Sequence, residues 1–188
     1  MLRMRNRIGA AVVGFAATGA VLTAGPASAD MHWTKADASG YSAQAQRAGL
    51  TAKQAEALQQ KVDRHLAKVP DSRQTGPNTI AFPGGKVVVE VPGGQYSGAL
   101  RSPYSDCRFE FCGGEDSGTA YSWDQCRKYD VRHMSGPGFW WNSQIDRMRV
   151  HMYGAQGERI YTTPNAYSED KSANWSPVYW IKTCIPAK

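Results

Sequence analysis

The side chains best suited to catalysis lie in the stretch KYDVRHMSG, which places Asp130, His133 and Ser135 close together in the sequence. These are the residue types of a serine hydrolase, in which a nucleophile, a base and an orienting acid must converge in space. Residues two and three positions apart in a strand or loop rarely converge in this way. The pattern therefore does not favour a catalytic triad and keeps a small secreted hydrolase only as a lesser alternative.

Four carboxylates, Glu110, Glu115, Asp116 and Asp124, also lie close together and include the residue types of a glycosidase acid and base. We interpret them as solvated loop residues. The sequence contains neither an H-E-x-x-H zinc motif nor a G-x-S-x-G nucleophile motif. We therefore predict that the protein is not an enzyme, and that it has no catalytic residues and no cofactor.

Residues 1–29 have the features of a secretory signal peptide. Three arginines in the first seven positions precede an apolar run from Ile8 to Leu22, and small residues follow at Ala27 and Ala29. The apolar run is shorter than the roughly 20 residues that a spanning helix needs. We expect cleavage before Asp30, secretion of the mature chain and no membrane association after cleavage.

The charge of the mature chain argues against nucleic acid as a partner. Cleavage lowers the number of basic residues from 22 to 19 and leaves all 16 acidic residues, so the formal charge falls from +6 to +3. The remaining charges are spread along the sequence, whereas nucleic-acid binding is typical of clustered lysine and arginine. We predict no nucleic-acid partner.

Four cysteines, Cys107, Cys112, Cys126 and Cys184, are expected to form two disulfides, because thiols outside the cytoplasm are not kept reduced. A zinc site would need closely spaced ligand pairs, which neither Cys126 and Cys184 nor the four histidines provide, so we predict no metal. On one straight strand, the Cα atoms of Cys107 and Cys112 would lie about 16 Å apart, beyond the span of a disulfide. These two cysteines can pair only through a bend.

The first half of the mature chain has two parts. Residues 30–48 are small and polar and are expected to form a flexible mature N-terminus. The stretch LTAKQAEALQQKVDRHLAKVP predicts a helix with Thr51 and Gln54 in a capping box, apolar residues at spacings of three and four, and an end at Pro70. The stretch TIAFPGGKVVVEVPGG predicts a hairpin. Helix and hairpin together form a predicted leader subdomain over residues 49–95.

The second half, residues 98–188, has the pattern of an all-β domain. Fifteen aromatic residues lie between Tyr104 and Trp180, with turn residues at intervals of about 8 to 12 positions. Because this half contains all four cysteines, we expect it to fold without the leader. The predicted strands are 108–111, 119–124, 147–153, 159–163 and 178–182.

This half contains five motifs in sequence order: a pair of cysteines, AYSWDQC, SGPGFWWNSQIDR, a MYG hairpin and WSPVYWIKTC. In these motifs the chain resembles the small secreted βγ-crystallin-like proteins of actinomycetes, the crystallin-type peptidase inhibitors, which are similar to metalloproteinase inhibitors and killer-toxin-like proteins. The resemblance covers roughly residues 104–186. It implies a mainly β fold, a small disulfide-stapled βγ-crystallin-like sandwich preceded by a helix and a β-hairpin.

The resemblance also implies a cysteine pairing, Cys107–Cys112 and Cys126–Cys184. Because RFEF, between the first two cysteines, has no turn residue, Cys107–Cys126 with Cys112–Cys184 stays as the alternative. Crystallin-type calcium sites resemble a run that begins with two Asn or Asp residues and ends with hydroxyl residues. Of the matching segment, residues 142–147, only Asn142 fits, and Arg147 places a cation at a ligand position. No calcium site is predicted.

The function that follows is a secreted, non-catalytic binding protein. The resemblance implies a proteinaceous peptidase inhibitor with a secreted protease as its partner. The alternative is an extracellular carbohydrate-binding, cell-wall-binding or toxin-like module with a component of the cell envelope as its partner. The candidate binding surface is Trp140, Trp141, Glu115 and Asp116. Adjacent side chains of a strand face opposite ways, so one tryptophan is expected in the core and the other at the surface.

Overall fold

Two helices come first in the part of the chain that the structure describes. The computed structural model describes residues 35–105 and 107–187. The expected signal peptide lies outside these residues. Helix α1 comprises Lys35–Arg47 and helix α2 comprises Ala52–Leu66.

Helix α1 corrects the expectation of a flexible segment over residues 30–48. The segment is rich in alanine, the residue with the highest helix propensity. It packs through a small side chain, because Ala45 is only 1% exposed and belongs to the hydrophobic core. The helix therefore lacks the stripe of large apolar residues by which a packed helix is recognised in a sequence.

Helix α2 confirms the predicted helix and its capping box. The Thr51 hydroxyl accepts a hydrogen bond from the backbone N–H of Gln54 at 3.2 Å, and the Gln54 side chain accepts one from the backbone N–H of Thr51 at 2.9 Å. On the side facing the sheet, Ala55, Leu58 and Val62 are buried. The apolar stripe therefore packs into the core, and the paired hydrogen bonds satisfy backbone donors at the start of the helix.

Eleven strands follow within the described residues, and they form two antiparallel sheets. The order is β1-β2-β3-β5-β4-β7-β10 in the seven-stranded sheet and β6-β11-β8-β9 in the four-stranded sheet. The fold is mainly β, as predicted. The strands are β1 Arg73–Gly76, β2 Thr79–Phe82, β3 Gly85–Val88, β4 Phe111–Glu115, β5 Ala120–Trp123, β6 Lys128–Asp130, β7 Pro137–Asn142, β8 Met148–Tyr153, β9 Arg159–Thr162, β10 Ser168–Asn174 and β11 Trp180–Pro186.

Four of the five predicted strands overlap an observed strand by at least three residues, and these strands are β5, β8, β9 and β11. The first predicted strand, 108–111, shares only Phe111 with β4, because the chain bends before this strand begins. Strands β1, β6, β7 and β10 were not predicted. Strand β10 is an edge strand with the polar sequence SEDKSAN, so it lacks the alternation that marks a half-buried strand.

The hairpin β2–β3 does not form a separate leader with the helix. Strand β3 pairs with β5, with Val87 opposite Tyr121, so the hairpin continues the sheet of the aromatic-rich half. Ile80 and Val87 are buried in one cluster with Leu58 of α2 and Trp123 of β5. The structure thus corrects the predicted division into a leader at 49–95 and a domain at 98–188.

The inner faces of the two sheets enclose the main part of the core, which is the arrangement of a β-sandwich. Phe111, Tyr121 and Trp140 come from the seven-stranded sheet, and Val150 and Ile181 from the four-stranded sheet. The core is rich in aromatic rings, and Phe111 stacks on Trp123 with 5.6 Å between ring centroids. The mainly β sandwich implied by the resemblance agrees with this arrangement.

The disulfides are Cys107–Cys112 and Cys126–Cys184, with Cα atoms 6.0 Å and 5.1 Å apart. This is the pairing that the resemblance implies, and the alternative pairing does not occur. Cys107 and Cys112 approach each other because the chain turns at Phe109, where φ is 59°. The bend that the sequence geometry required is therefore present.

Candidate functional site

The loop closed by the Cys107–Cys112 disulfide projects two large side chains into solvent. Arg108 and Phe109 are both exposed, and Phe109 is 72% exposed. We call residues 107–112 the disulfide loop. An aromatic side chain this exposed buries little apolar surface on folding, so its contribution to stability is small.

The base of the disulfide loop is anchored to the seven-stranded sheet. Cys112 lies in β4, between Ser122 of β5 and Trp141 of β7. On the other side of the turn, the carbonyl of Glu110 accepts a hydrogen bond from the backbone N–H of Ser143 at 3.0 Å. The loop is therefore held by a covalent bond and by backbone hydrogen bonds while its tip remains free.

A second exposed aromatic residue lies beside the disulfide loop. Tyr167 is 70% exposed, and it lines a surface depression of about 370 Å³ together with Phe109, Arg108 and Ser143. The residue before it, Ala166, is buried and donates its backbone N–H to the carbonyl of Met148 at 2.9 Å. Two aromatic rings and a guanidinium group thus surround one shallow depression on a fixed backbone.

The two tryptophans of the predicted binding surface divide between core and surface, as expected. Trp140 is buried against Phe111, whereas Trp141 lies on the outer face of the sheet. Trp141 is itself half-buried, since its ring packs against Phe139 and Tyr104 at 4.7 Å and 5.7 Å between centroids. Its indole N–H donates to the Glu169 carboxylate at 2.9 Å. Trp141 therefore serves local packing.

Glu115 and Asp116 do not join Trp141 in one surface. Glu115 follows Cys112, the strand partner of Trp141, by three positions, which places it on the other face of the sheet and about 10 Å away. Its carboxylate accepts hydrogen bonds from the backbone N–H of Ser135 at 2.9 Å and from the Ser117 hydroxyl at 3.3 Å. The predicted surface is therefore not assembled.

Asp130, His133 and Ser135 do not form a catalytic triad. Arg132 donates hydrogen bonds to both carboxylate oxygens of Asp130, and the hydrogen bond of Arg132 lowers the pKa of this carboxyl group. The backbone of Ser135 is bound to Glu115 instead. Asp130 and Ser135 are thus engaged in separate local contacts, and no hydrogen bond joins either of them to His133 among the described residues.

His133 belongs to a cluster with His65 of α2 and Tyr121 of β5, in which Tyr121 is buried and both histidines are half-buried. The Tyr121 hydroxyl lies 3.1 Å from His65 Nδ1, and the His133 ring lies 5.0 Å from the Tyr121 ring. Burial is the main cause that lowers the pKa of His65 and of His133 to about 4, and it also raises the pKa of Tyr121. At neutral pH all three rings are uncharged, which suits their place at the edge of the core.

An open groove of about 630 Å³ borders this cluster. Its walls come from the end of α2, the turn after β2 and strand β6, and its lining includes His133, Lys68 and Arg127. Among the described residues, His133 Nε2 is buried without a hydrogen-bond partner. The groove could accept a small polar ligand, but the triad residues around it are not arranged for nucleophilic catalysis.

Asn142, the one residue that fits the calcium pattern, has a structural role. Its side-chain amide donates to the carbonyls of Met148 and Pro164 at 2.9 Å and 3.2 Å, and its Oδ1 accepts from Gln144 at 2.8 Å. Asn142 therefore uses its polar atoms inside the protein. Residues 35–105 and 107–187 contain no group of three or more His, Cys, Asp or Glu side chains placed to hold a metal ion.

No protein-family model, curated protein or solved structure matches the chain. Within the described part of the chain, no helix combines the length and the apolar character needed to cross a bilayer. Function is therefore inferred from the geometry of the surface.

Arg108, Phe109 and Tyr167 were not among the predicted site residues. A signal for the first two was present, because two cysteines five residues apart can pair only around a bend, and the residues at a bend project outward. Tyr167 had no such signal, since its place beside the loop follows from the pairing of β10 with β7.

Proposed function

We propose that the chain is a secreted, non-catalytic binding protein that inhibits a peptidase through the disulfide loop. The signal-peptide features of residues 1–29 support secretion, and so do the two disulfides, which persist in oxidising compartments. The sandwich and the cysteine pairing support membership of the crystallin-type inhibitors that the sequence resembles. Mass spectrometry of the mature chain should find Asp30 as its first residue.

The observation that carries the proposal is the exposure of Phe109 on an anchored backbone. Aromatic and arginine side chains dominate the binding energy of protein interfaces, and here Phe109 and Arg108 are adjacent at one tip. A loop closed by a disulfide has few conformations to lose when it binds, so more of its contact energy appears as affinity. Peptidase inhibition needs both properties, because the loop must enter an active site and keep its shape there.

The test is titration of the mature protein against a panel of secreted metallo- and serine peptidases, with residual activity as the readout. Replacement of a central aromatic contact costs about 2 kcal/mol, so Phe109→Ala should raise the inhibition constant about 30-fold. The variant should unfold at the same denaturant concentration as the wild type, because Phe109 is outside the core.

Ile160→Ala is the matched control. Ile160 is also an exposed apolar residue, but it lies on β9 in the other sheet. The Ile160→Ala variant should inhibit the peptidase as strongly as the wild type does. A wild-type protein that inhibits no peptidase of the panel, or an equal loss in both variants, would refute the assignment of inhibition to the disulfide loop.

A further inference from the structure

The outer face of the four-stranded sheet carries two rows of residues that run across all four strands. Strand pairing aligns Lys128, Lys182, His151 and Thr162 in the first row. The second row consists of Asp130, Trp180, Tyr153 and Arg159. Paired residues of neighbouring strands lie on the same side of a sheet.

The intervening row shows which side faces solvent. Tyr129, Ile181 and Met152 alternate with these residues along β6, β11 and β8, and all three are buried in the core. Since side chains alternate between the two faces of a strand, the rows of Lys128 and Trp180 point away from the core. We call these two rows the basic face.

The basic face has an excess of positive charge. Lys128, Lys182 and Arg159 are exposed, and none of them forms a salt bridge with a carboxylate of the described residues. The one acid of the face, Asp130, is already paired with Arg132. Partial burial lowers the pKa of His151, and the charges of Arg159, Lys182 and Arg149 lower it further. Three cations therefore lie near this one ring.

We propose that the basic face binds an acidic polysaccharide, a polymer that carries carboxylates along its length. Adjacent strands are about 4.8 Å apart, so the row from β6 to β9 extends over about 14 Å and can contact several successive carboxylates. Charge complementarity selects the anionic partner. The Cys126–Cys184 disulfide joins the segment before β6 to β11, and this bond fixes two of the four strands.

The aromatic residues of the face favour a polysaccharide over single-stranded nucleic acid. Nucleic-acid binding by a flat sheet uses open aromatic rings on which bases stack. Here the Lys128 ammonium group lies 4.4 Å from the centre of the Trp180 ring and 5.6 Å from that of Tyr153, so a cation already occupies the aromatic surface. The accessible groups of the face are therefore charges, and they recognise an anionic polymer without reading bases.

The test measures binding of the mature protein to immobilised polygalacturonate, with neutral dextran and oligo(dT) as comparison polymers. The double variant Lys182→Gln with Arg159→Gln removes two exposed cations and leaves the packed Lys128 in place. Two surface ionic contacts together are worth roughly a tenfold change, so the variant should bind about tenfold more weakly. Binding of the wild type should also weaken as salt is added.

The matched control removes the same charge elsewhere. Lys53 and Arg64 are exposed residues of α2, and Lys53→Gln with Arg64→Gln should bind like the wild type. Phe109→Ala should also bind normally, which separates this inference from peptidase inhibition. The proposal would be overturned by equal losses in both double variants, by an absence of binding to polygalacturonate, or by tighter binding to oligo(dT).

Discussion

Truncation of Leu58 to alanine tests whether helix α2 is part of the core of the sandwich. Leu58 is 1% exposed and is buried in one cluster with Ile80, Tyr121 and Trp123. Removal of a buried leucine side chain costs about 2 to 5 kcal/mol, depending on how far the site can collapse. We expect a loss of about 3 kcal/mol in the free energy of unfolding, since α2 is fixed against the sheet by other buried residues such as Val62.

Urea unfolding monitored by tryptophan fluorescence measures this loss of stability in the two sheets. Five of the six tryptophans lie between Trp123 and Trp180, so the signal reports on the sheets and not on the helix. With an m value of about 2 kcal/mol/M, a loss of 3 kcal/mol lowers the midpoint by about 1.5 M. Glu56→Ala, an exposed change two positions away on the same helix, should leave the midpoint nearly unchanged.

A tryptophan midpoint that stays in place in Leu58→Ala would refute the reasoning. The helix would then unfold separately from the sheets, and the predicted leader would be a true subdomain. The same reasoning predicts that a fragment of residues 98–188 loses its near-UV circular dichroism, because it lacks β1 to β3 and α2. This outcome is the opposite of what the sequence indicated.

The remaining predictions concern pH and one glycine. Because burial lowers the pKa of His65 and His133 to about 4 from an ordinary value of 6.5, the unfolded chain binds protons between these values that the native state does not. The free energy of unfolding should therefore fall as pH drops from 6.5 to about 4, and denaturation of the double variant His65→Gln with His133→Gln should show a smaller fall; an unchanged slope would assign the effect to other groups. Gly113→Ala should lower the free energy of unfolding by about 1 to 3 kcal/mol, because its Cβ would overlap the buried Trp175 ring. In the same urea experiment Gly40→Ala, at a helical site with no atom within 4 Å, should be neutral or slightly stabilising, and equal midpoints for the two variants would contradict the overlap.

The parts of the fold that could be predicted are those specified by neighbours in the sequence. The capping box of Thr51 and Gln54 and the apolar stripe that follows it predict both ends of α2 to within about one turn. The division between leader and domain could not be predicted correctly, because the pairing of β3 with β5 joins segments about 30 residues apart. No local pattern distinguishes a hairpin that ends a subdomain from one that extends a larger sheet.

The candidate surfaces show the same dependence on long-range pairing. The disulfide loop could be foreseen in outline, because the resemblance implied the Cys107–Cys112 pairing and two cysteines at this spacing can pair only around a bend. The basic face could not, because Lys128, Lys182 and Arg159 lie far apart in the sequence and form rows only after β6, β11, β8 and β9 pair. Basic residues that are evenly spread along the sequence are therefore compatible with a concentrated patch on the folded surface.

The two disulfides contribute to the two surfaces in different ways. The bond between Cys107 and Cys112 closes a short loop, so its effect on the unfolded chain is small, about 2 kcal/mol in the chain-entropy description, and its main effect is the fixed shape of the exposed tip. The bond between Cys126 and Cys184 has a sequence separation of 58 residues and restricts the unfolded chain by about 4 kcal/mol. It also ties β11 to the chain that enters β6, where the basic face begins. Loss of the first bond should therefore reduce peptidase inhibition more than stability, whereas loss of the second should reduce stability first and polysaccharide binding with it.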